Sequence, residues 1–196
     1  MDLEIELDRF LKIKTSGRDA SNSNYINFPY EATPYSVLQE LANSGYITKK
    51  DKVLDYGCGK GRVDFYLSYA TKAKSIGIEY DPRLYNTALE NKKTAISSNK
   101  VEFININASE YTLDDDINRI YFFNPFSVTV LNDVINNIKK SLEINPREIL
   151  LFFYYPSKEY ISFLTEKLHL ENIENIDCKH LFNNEDIKEF IGIYKI

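Results

Sequence analysis

Residues 53–62 read Val-Leu-Asp-Tyr-Gly-Cys-Gly-Lys-Gly-Arg, and the arrangement of the rest of the chain follows from this stretch. A short apolar run over 52–56 reads as a buried strand. It enters three glycines at alternate positions, Gly57, Gly59 and Gly61, and a helix over 61–69 follows. Glycine lacks a Cβ, so it permits the tight turn and lets backbone approach a ligand closely. Asp55 stands two residues ahead of the first glycine. Glu79 closes the next strand-like run, Ser75-Ile-Gly-Ile-Glu79. Two carboxylates are thereby placed at the carboxyl ends of neighbouring strands, where open α/β sheets bind ligands.

Outward from this stretch, strands and helices alternate. Thr33-Pro34 predicts a helix start, with Thr33 as N-cap and Pro34 at the first helical position; Val37, Leu38, Leu41 and Ala42 form its apolar face and Gly45 ends it. Strands are predicted over 52–56, 74–80, 101–107, 119–124 and 148–155, with helices over 81–98, 128–142 and 157–168 between or after them. The unbroken apolar run of 148–155 suits a central strand. Two strands over 170–179 and 187–196, with little helix between, close the chain. Five βα repeats ending in an antiparallel element make an α/β order. Ahead of them, residues 1–18 lean to a short helix on Leu7, Phe10 and Leu11, and the Asn/Ser-rich stretch 16–28 reads as a loop or lid. The chain divides into an N-terminal extension or lid over 1–30 and a core domain over 31–196.

With 196 residues, 43% hydrophobic and 27% charged, the chain suits one well-cored domain and is too short for two ordinary ones. A net charge of −5 argues against generic nucleic-acid binding, which needs a basic face. No apolar run reaches membrane-spanning length, and a terminus charged from Asp2 onward does not read as a signal peptide. Cys58 and Cys178 make no disulfide framework, and Cys58, inside the glycine loop, is expected to stay reduced. A cytoplasmic location is the expectation. Cys178-Lys-His180 offers too few ligands for a metal, and Asp114-Asp-Asp116 reads as a solvated loop, so no metal is expected.

The acid and glycine spacing resembles the cofactor motifs of class I S-adenosylmethionine (SAM) methyltransferases, in their small bacterial stand-alone type. The resemblance spans about 30–196. It implies a three-layer, doubly wound, mostly parallel seven-stranded sheet in the order 3-2-1-4-5-7-6, the last strand antiparallel. It also implies SAM as cofactor and S-adenosylhomocysteine as its product. Asp55 would sit near the cationic methionine end and Glu79 would accept both ribose hydroxyls. Gly57, Cys58, Gly59, Gly61, Tyr80, Asn107, Ala108 and Asn124 would complete the cofactor site, with the oxygen of Asn107 accepting from the adenine amine. Two alternatives stay open. One is an NAD-linked Rossmann unit, whose glycines run G-x-G-x-x-G rather than the G-x-G-x-G found here. The other is a SAM-binding module that acts through a partner without catalysis.

The fourth strand ends Tyr121-Phe-Phe-Asn124-Pro125-Phe126-Ser127. This resembles the Asp/Asn-Pro-Pro-aromatic motif of amino-methyltransferases that act on adenine N6 or a glutamine amide nitrogen, without the second proline. Asn124, Pro125 and Phe126 are therefore the expected catalytic residues. The side-chain oxygen of Asn124 and the carbonyl of Pro125 would accept from the nitrogen to be methylated, and Phe126 would stack on a planar acceptor. Tyr154 and Tyr155 at the end of the fifth strand, Tyr30 and Tyr35 ahead of the core, and Lys60 beside the glycine loop are expected to line the substrate pocket. Lys60 and Arg62 sit at a helix N-terminus, where the macrodipole disfavours cations. They read as solvated charges, with an anionic substrate or a neighbouring carboxylate as the alternative. The methyl acceptor and the oligomeric state are not legible in the sequence.

Overall fold

The computed structural model describes residues 3–22, 27–183 and 186–196. Seven strands form one sheet: β1 (Lys52–Tyr56), β2 (Lys74–Glu79), β3 (Val101–Asn105), β4 (Arg119–Phe122), β5 (Leu150–Tyr154), β6 (Glu171–Asp177) and β7 (Phe190–Lys195). Their order is β3-β2-β1-β4-β5-β7-β6, as expected. The first five pair in parallel, and β7 runs antiparallel between β5 and β6. The helices are α1 (Leu3–Leu11), α2 (Tyr35–Asn43), α3 (Arg62–Thr71), α4 (Pro82–Thr94), α5 (Val128–Ile144) and α6 (Lys158–Ser162), the last running on into a wider π turn, Phe163–Lys167.

Side-chain alternation along β1 sorts the two faces of the sheet. Val53 packs with Leu38, Phe65, Tyr121 and Phe152 on the α2–α3 side. Leu54 and Tyr56 pack with Ile120, Phe122, Phe153 and the Leu131, Val134, Ile135 and Ile138 stripe of α5 on the other. The rings of Tyr56, Phe122 and Phe153 stack in sequence across β1, β4 and β5, with centroids 5.3 and 4.6 Å apart. The edge strand β6 is mostly exposed, and Glu171, Glu174 and Asp177 charge an edge that would otherwise invite pairing.

The extension is docked on the core. Leu11 and Ile13 belong to the same buried cluster as Leu38 and Phe65. Of the expected loop or lid over 16–28, residues 23–26 lie outside the described residues. The flanks form short bridges, Asp19 to Tyr30 and Asn27 to Phe126, so a strap crosses the carboxyl ends of β1 and β4.

Several expected boundaries shift. Thr33 does not cap α2: Pro34 holds that position without a side-chain cap. The Thr33 hydroxyl instead meets the Tyr121 hydroxyl at 3.0 Å, because both are buried and each needs a partner. β4 stops at Phe122 and β5 at Tyr154, since Asn124 (φ +41) and Tyr155 (φ +50) turn left-handed and end the pleat. α4 ends at Thr94, with Ala95 extended at its C-cap.

Candidate functional site

The three loop glycines all have positive φ, and all three are also crowded, Gly61 by the Phe103 ring. A Cβ on Gly57 would stand 2.5 Å from that of Pro125, and one on Gly59 would overlap the ring of Tyr30. The loop is thus clamped between the end of β4 and the strap. Beside it a cleft of about 920 Å³, including open solvent at its mouth, runs across the carboxyl ends of β1, β2 and β4. Asp55, Gly57, Cys58, Glu79, Tyr80, Asn107, Ala108 and Tyr30 all line it, as do Pro125 and Phe126. Gly59 and Gly61 shape the loop and do not line the cleft.

Glu79 is held in place by backbone. Its Oε2 accepts from the Gly59 N–H and its Oε1 from the Asp81 N–H, both at 2.9 Å. One lone pair on each oxygen remains for two further donors. Burial raises its pKa, and the backbone donors pull the other way. Asp55 is also raised well above the ordinary carboxylate range, by burial first and then by the charges of Asp64 and Glu79. Cys58 is buried as a thiol; desolvation, with Asp64 and Asp55 nearby, pushes it up as well. The largest causes of these shifts are burial and neighbouring acids, and acids outnumber the two arginines, Arg62 and Arg83, along the cleft. The floor of the cleft is anionic.

Arg62 corrects the reading of solvated charge. It is 3% exposed, its Nε donates to Thr15 Oγ1 at 2.7 Å, and its Nη1 donates to the Thr33 carbonyl and to Glu4. Asp8, on the same face of α1 as Glu4, accepts from Thr15, Ser16 and the Tyr35 hydroxyl and pairs with Arg62 at 3.7 Å. The neighbouring carboxylates explain a cation at this helix start. The signal was the Glu4/Asp8 spacing of four residues, which puts two acids on one helix face. Tyr35, expected in the substrate pocket, is fully buried in this network under the Arg62 guanidinium, 4.3 Å from its ring centroid. Lys60 is likewise turned away from the cleft. Its ammonium donates to the Ser16 carbonyl at 3.0 Å and lies 4.8 Å from the centre of the Tyr30 ring.

The motif ending β4 is arranged differently from the expectation. Asn124 Nδ2 donates to the Tyr155 carbonyl at 2.6 Å and its Oδ1 accepts from the Ser157 N–H at 3.3 Å. The side chain ties β4 to the turn after β5 and does not line the cleft with Asp55. Phe126 is 3% exposed and stands edge-on to Tyr56 and Phe122. Without the second proline it falls into the aromatic core. The Pro125 carbonyl accepts from the strap, Phe28 N–H, at 3.2 Å. Asn107 accepts twice on Oδ1, from the N–H and hydroxyl of Ser109, so both lone pairs meant for an adenine amine are engaged. Tyr154 and Tyr155 line a second depression with Phe28, Phe123, Asn124 and Phe182. It shares Phe28, Pro29 and Phe123 with the cleft, and so opens beside it.

Sequence reasoning read 16–28 as a loop or lid but missed the anchors that hold the strap. Asn22 Nδ2 donates to Asp81 at 2.9 Å, and the Tyr80 hydroxyl donates to the Asn22 carbonyl at 2.7 Å. Asn91 of α4 joins the Lys14 and Lys60 backbones. Asp114 and Asp116 flank Lys52 at 3.1 and 2.8 Å. Among the described residues no group of acids, histidines and cysteines is arranged to hold a metal, and no helix is long and apolar enough to cross a membrane.

Residues 47–151 match the family model described as a methyltransferase domain. No curated protein matches the sequence. Among solved structures, a SAM-dependent methyltransferase from Aquifex aeolicus superposes with a TM-score of 0.60 at 14% identity, over 84% of this chain and 93% of that one. A TehB-like SAM-dependent methyltransferase from Corynebacterium glutamicum gives 0.55 at 18%, over 97% and 96%. An RNA methyltransferase from Salinibacter ruber, in complex with S-adenosylhomocysteine, gives 0.54 at 18%, over 84% and 92%. At these identities the likeness is one of fold.

Proposed function

Since the chain belongs to the methyltransferase domain family, in its class I SAM-dependent form, we propose that it moves the methyl group of SAM to an acceptor entering beside the end of β4. The observation that carries this reading is the pairing of a backbone-held Glu79 with a buried Asp55 across a clamped glycine loop. An anionic floor suits a cationic ligand, and two oriented carboxylate oxygens suit a diol. SAM, when bound, supplies an electrophilic methyl on a sulfonium. Glu79 and Asp55 hold the cofactor, the strap from Phe28 to Ala32 excludes water, and the chain's remaining contribution is orientation of the acceptor.

The second depression is our candidate acceptor site. Its aromatic walls, Phe28, Phe123, Tyr155 and Phe182, favour a planar acceptor, in keeping with a planar or amide nitrogen. Asn124 then acts as a positioning residue that fixes the rim. The Pro125 carbonyl keeps one lone pair for an acceptor N–H beside the Phe28 contact.

Calorimetry with SAM, S-adenosylhomocysteine and NAD tests the cofactor. Binding of the first two is expected, and NAD binding tighter than S-adenosylhomocysteine would overturn it. Mass spectrometry of a strain lacking the protein, set against its parent, should reveal a species short of one CH₂. If no mark is lost while SAM still binds, the non-catalytic module is the better description.

A further inference from the structure

Asp64 played no part in the expectations drawn from the sequence. It lies on α3 and is fully buried. Its Oδ1 accepts from the Ser75 hydroxyl at 2.5 Å. Its Oδ2 meets no donor among the described residues, and Asp55 is its neighbour, since Asp55 lies in register with Gly77, whose Cβ position abuts Asp64 Oδ2. The space is tight: a Cβ on Gly77 would stand 2.7 Å from both Asp64 Oδ2 and Cys58 Sγ.

Two carboxylates side by side and out of water are not both ionised unless a cation joins them. The groups that face this pair are Glu79 and Ser75 on β2, Cys58 in the loop, Tyr121 on β4 and Tyr30 on the strap. None of them is a cation. Arg62, on the same helix as Asp64, spends its guanidinium on Glu4, Asp8 and Thr15. A proton between the carboxyls is the simplest way to satisfy Asp64 Oδ2. Asp55 lines the cleft, so whatever charge arrives there acts on the pair.

Resting on the methyltransferase reading, we propose that Asp55 and Asp64 hold one proton between them, that a cationic ligand in the cleft displaces it to solvent, and that Asp64 thereby sets the preference of the site for SAM over S-adenosylhomocysteine. The two ligands differ by one methyl and one positive charge at sulfur. A sulfonium beside Asp55 would take the place of the proton as counter-charge, whereas the α-ammonium and carboxylate, common to both ligands, cancel in the comparison. With the product, neutral at sulfur, the pair regains a proton from solvent, and the charge that favoured retention is lost. Asp64 is a positioning residue here, acting through Asp55. Burial pushes both carboxyls upward, and the proton belongs to the pair rather than to either residue.

The test is calorimetry of the full chain with SAM and with S-adenosylhomocysteine, each in phosphate and in Tris, whose different ionisation heats count the protons released. More protons, by up to about one, are expected on binding SAM. SAM affinity should rise by up to about tenfold per pH unit across the pair's titration, while that of S-adenosylhomocysteine stays nearly flat. Asp64→Asn cannot take up the proton and can donate to Asp55, so both differences should vanish with SAM binding retained. Ser75→Ala, which removes a donor to the ionised form, should move the release to higher pH. Equal proton release by the two ligands in the wild type, or a difference that survives in Asp64→Asn, overturns this inference and leaves the cofactor reading standing. Failure of both ligands to bind overturns the two together.

Discussion

The ring of Tyr30 occupies the space in which a Cβ of Gly59 would stand. A residue of the N-terminal strap and a residue of the glycine loop are thus fitted to each other. Gly59→Ala should meet two separate penalties, the overlap with Tyr30 and a side chain at φ +57. Together they should cost on the order of 1–3 kcal/mol. In Gly59→Ala/Tyr30→Ala the overlap is gone and the backbone penalty remains. Urea unfolding of the four-member cycle should show a favourable coupling between the two changes. Strict additivity would mean that the strap does not rest on the loop in solution.

Glu79 offers a sharper probe of the cofactor site. In Glu79→Gln one carboxylate oxygen becomes an NH₂ facing a backbone N–H, from Gly59 or from Asp81. Binding of S-adenosylhomocysteine should weaken by roughly ten- to a hundredfold, the equivalent of about 1.5–3 kcal/mol. Asp55→Ala should weaken SAM by a similar factor. Unchanged affinity in both variants, measured by calorimetry, would place the cofactor elsewhere.

Asn124→Ala removes both hydrogen bonds between β4 and the turn after β5 and puts a side chain with little left-handed tolerance at φ +41. Stability should fall by about 1–3 kcal/mol. Affinity for S-adenosylhomocysteine should stay within about twofold, because the carboxylates proposed to hold it sit on β1 and β2, and turnover should drop by roughly 10²–10³, the usual cost of a misplaced acceptor. Full turnover in this variant would remove the Asn124 rim from the mechanism.

The succession of strands and helices was legible because it depends on local pattern, buried runs and glycines in alternation, and the sheet order came with the family resemblance; the acid at each of two strand ends marked Asp55 and Glu79, which do lie at the carboxyl ends of β1 and β2. What stayed hidden depends on partners far along the chain. Arg62 looked solvated because Glu4, Asp8 and Thr15, which bury it, lie 47 to 58 residues away or are held through α1. Asn124 looked like a substrate ligand because the motif says nothing of its left-handed backbone, which turns the side chain towards Tyr155 and Ser157. Asp64 gave a weak signal, an acid inside the apolar run Val63-Asp-Phe-Tyr-Leu67, whose meaning needed Asp55 and Ser75 beside it.

The buried acids also predict how stability depends on pH. A carboxyl whose pKa is raised on folding binds its proton more tightly in the folded chain. Its contribution is complete below the unfolded value, 3.8 for Asp64, and is lost as pH rises towards the folded value of about 7. Asp55 and Glu79 act in the same direction, while Asp51 and Asp81, lowered on folding, oppose them. Asp64→Asn should therefore gain on the wild type as pH moves from 4 to 8, by about 1.4 kcal/mol for each tenfold by which folding tightens the Asp64 proton. Denaturant midpoints at the two pH values measure it, and a constant difference would contradict the raised Asp64.

Removing the Arg62 head group tests the other buried charge. Arg62→Met leaves Glu4 and Asp8 without their cation and should cost about 3–5 kcal/mol, seen as a fall in Tm. Arg62→Lys should recover little of it, since a point charge cannot serve Thr15, the Thr33 carbonyl and Glu4 at once.

Because Arg62 is the first residue of α3 and follows the glycine loop directly, the loop's rigidity depends on the N-terminal helix that holds its guanidinium. An opening that lifts α1 releases Glu4 and Asp8 and frees the start of α3, so amide exchange at Gly59 and Gly61 is tied to the fraying of a helix some fifty residues upstream. The proposed grip on the cofactor is in that sense a property of how firmly α1 stays seated.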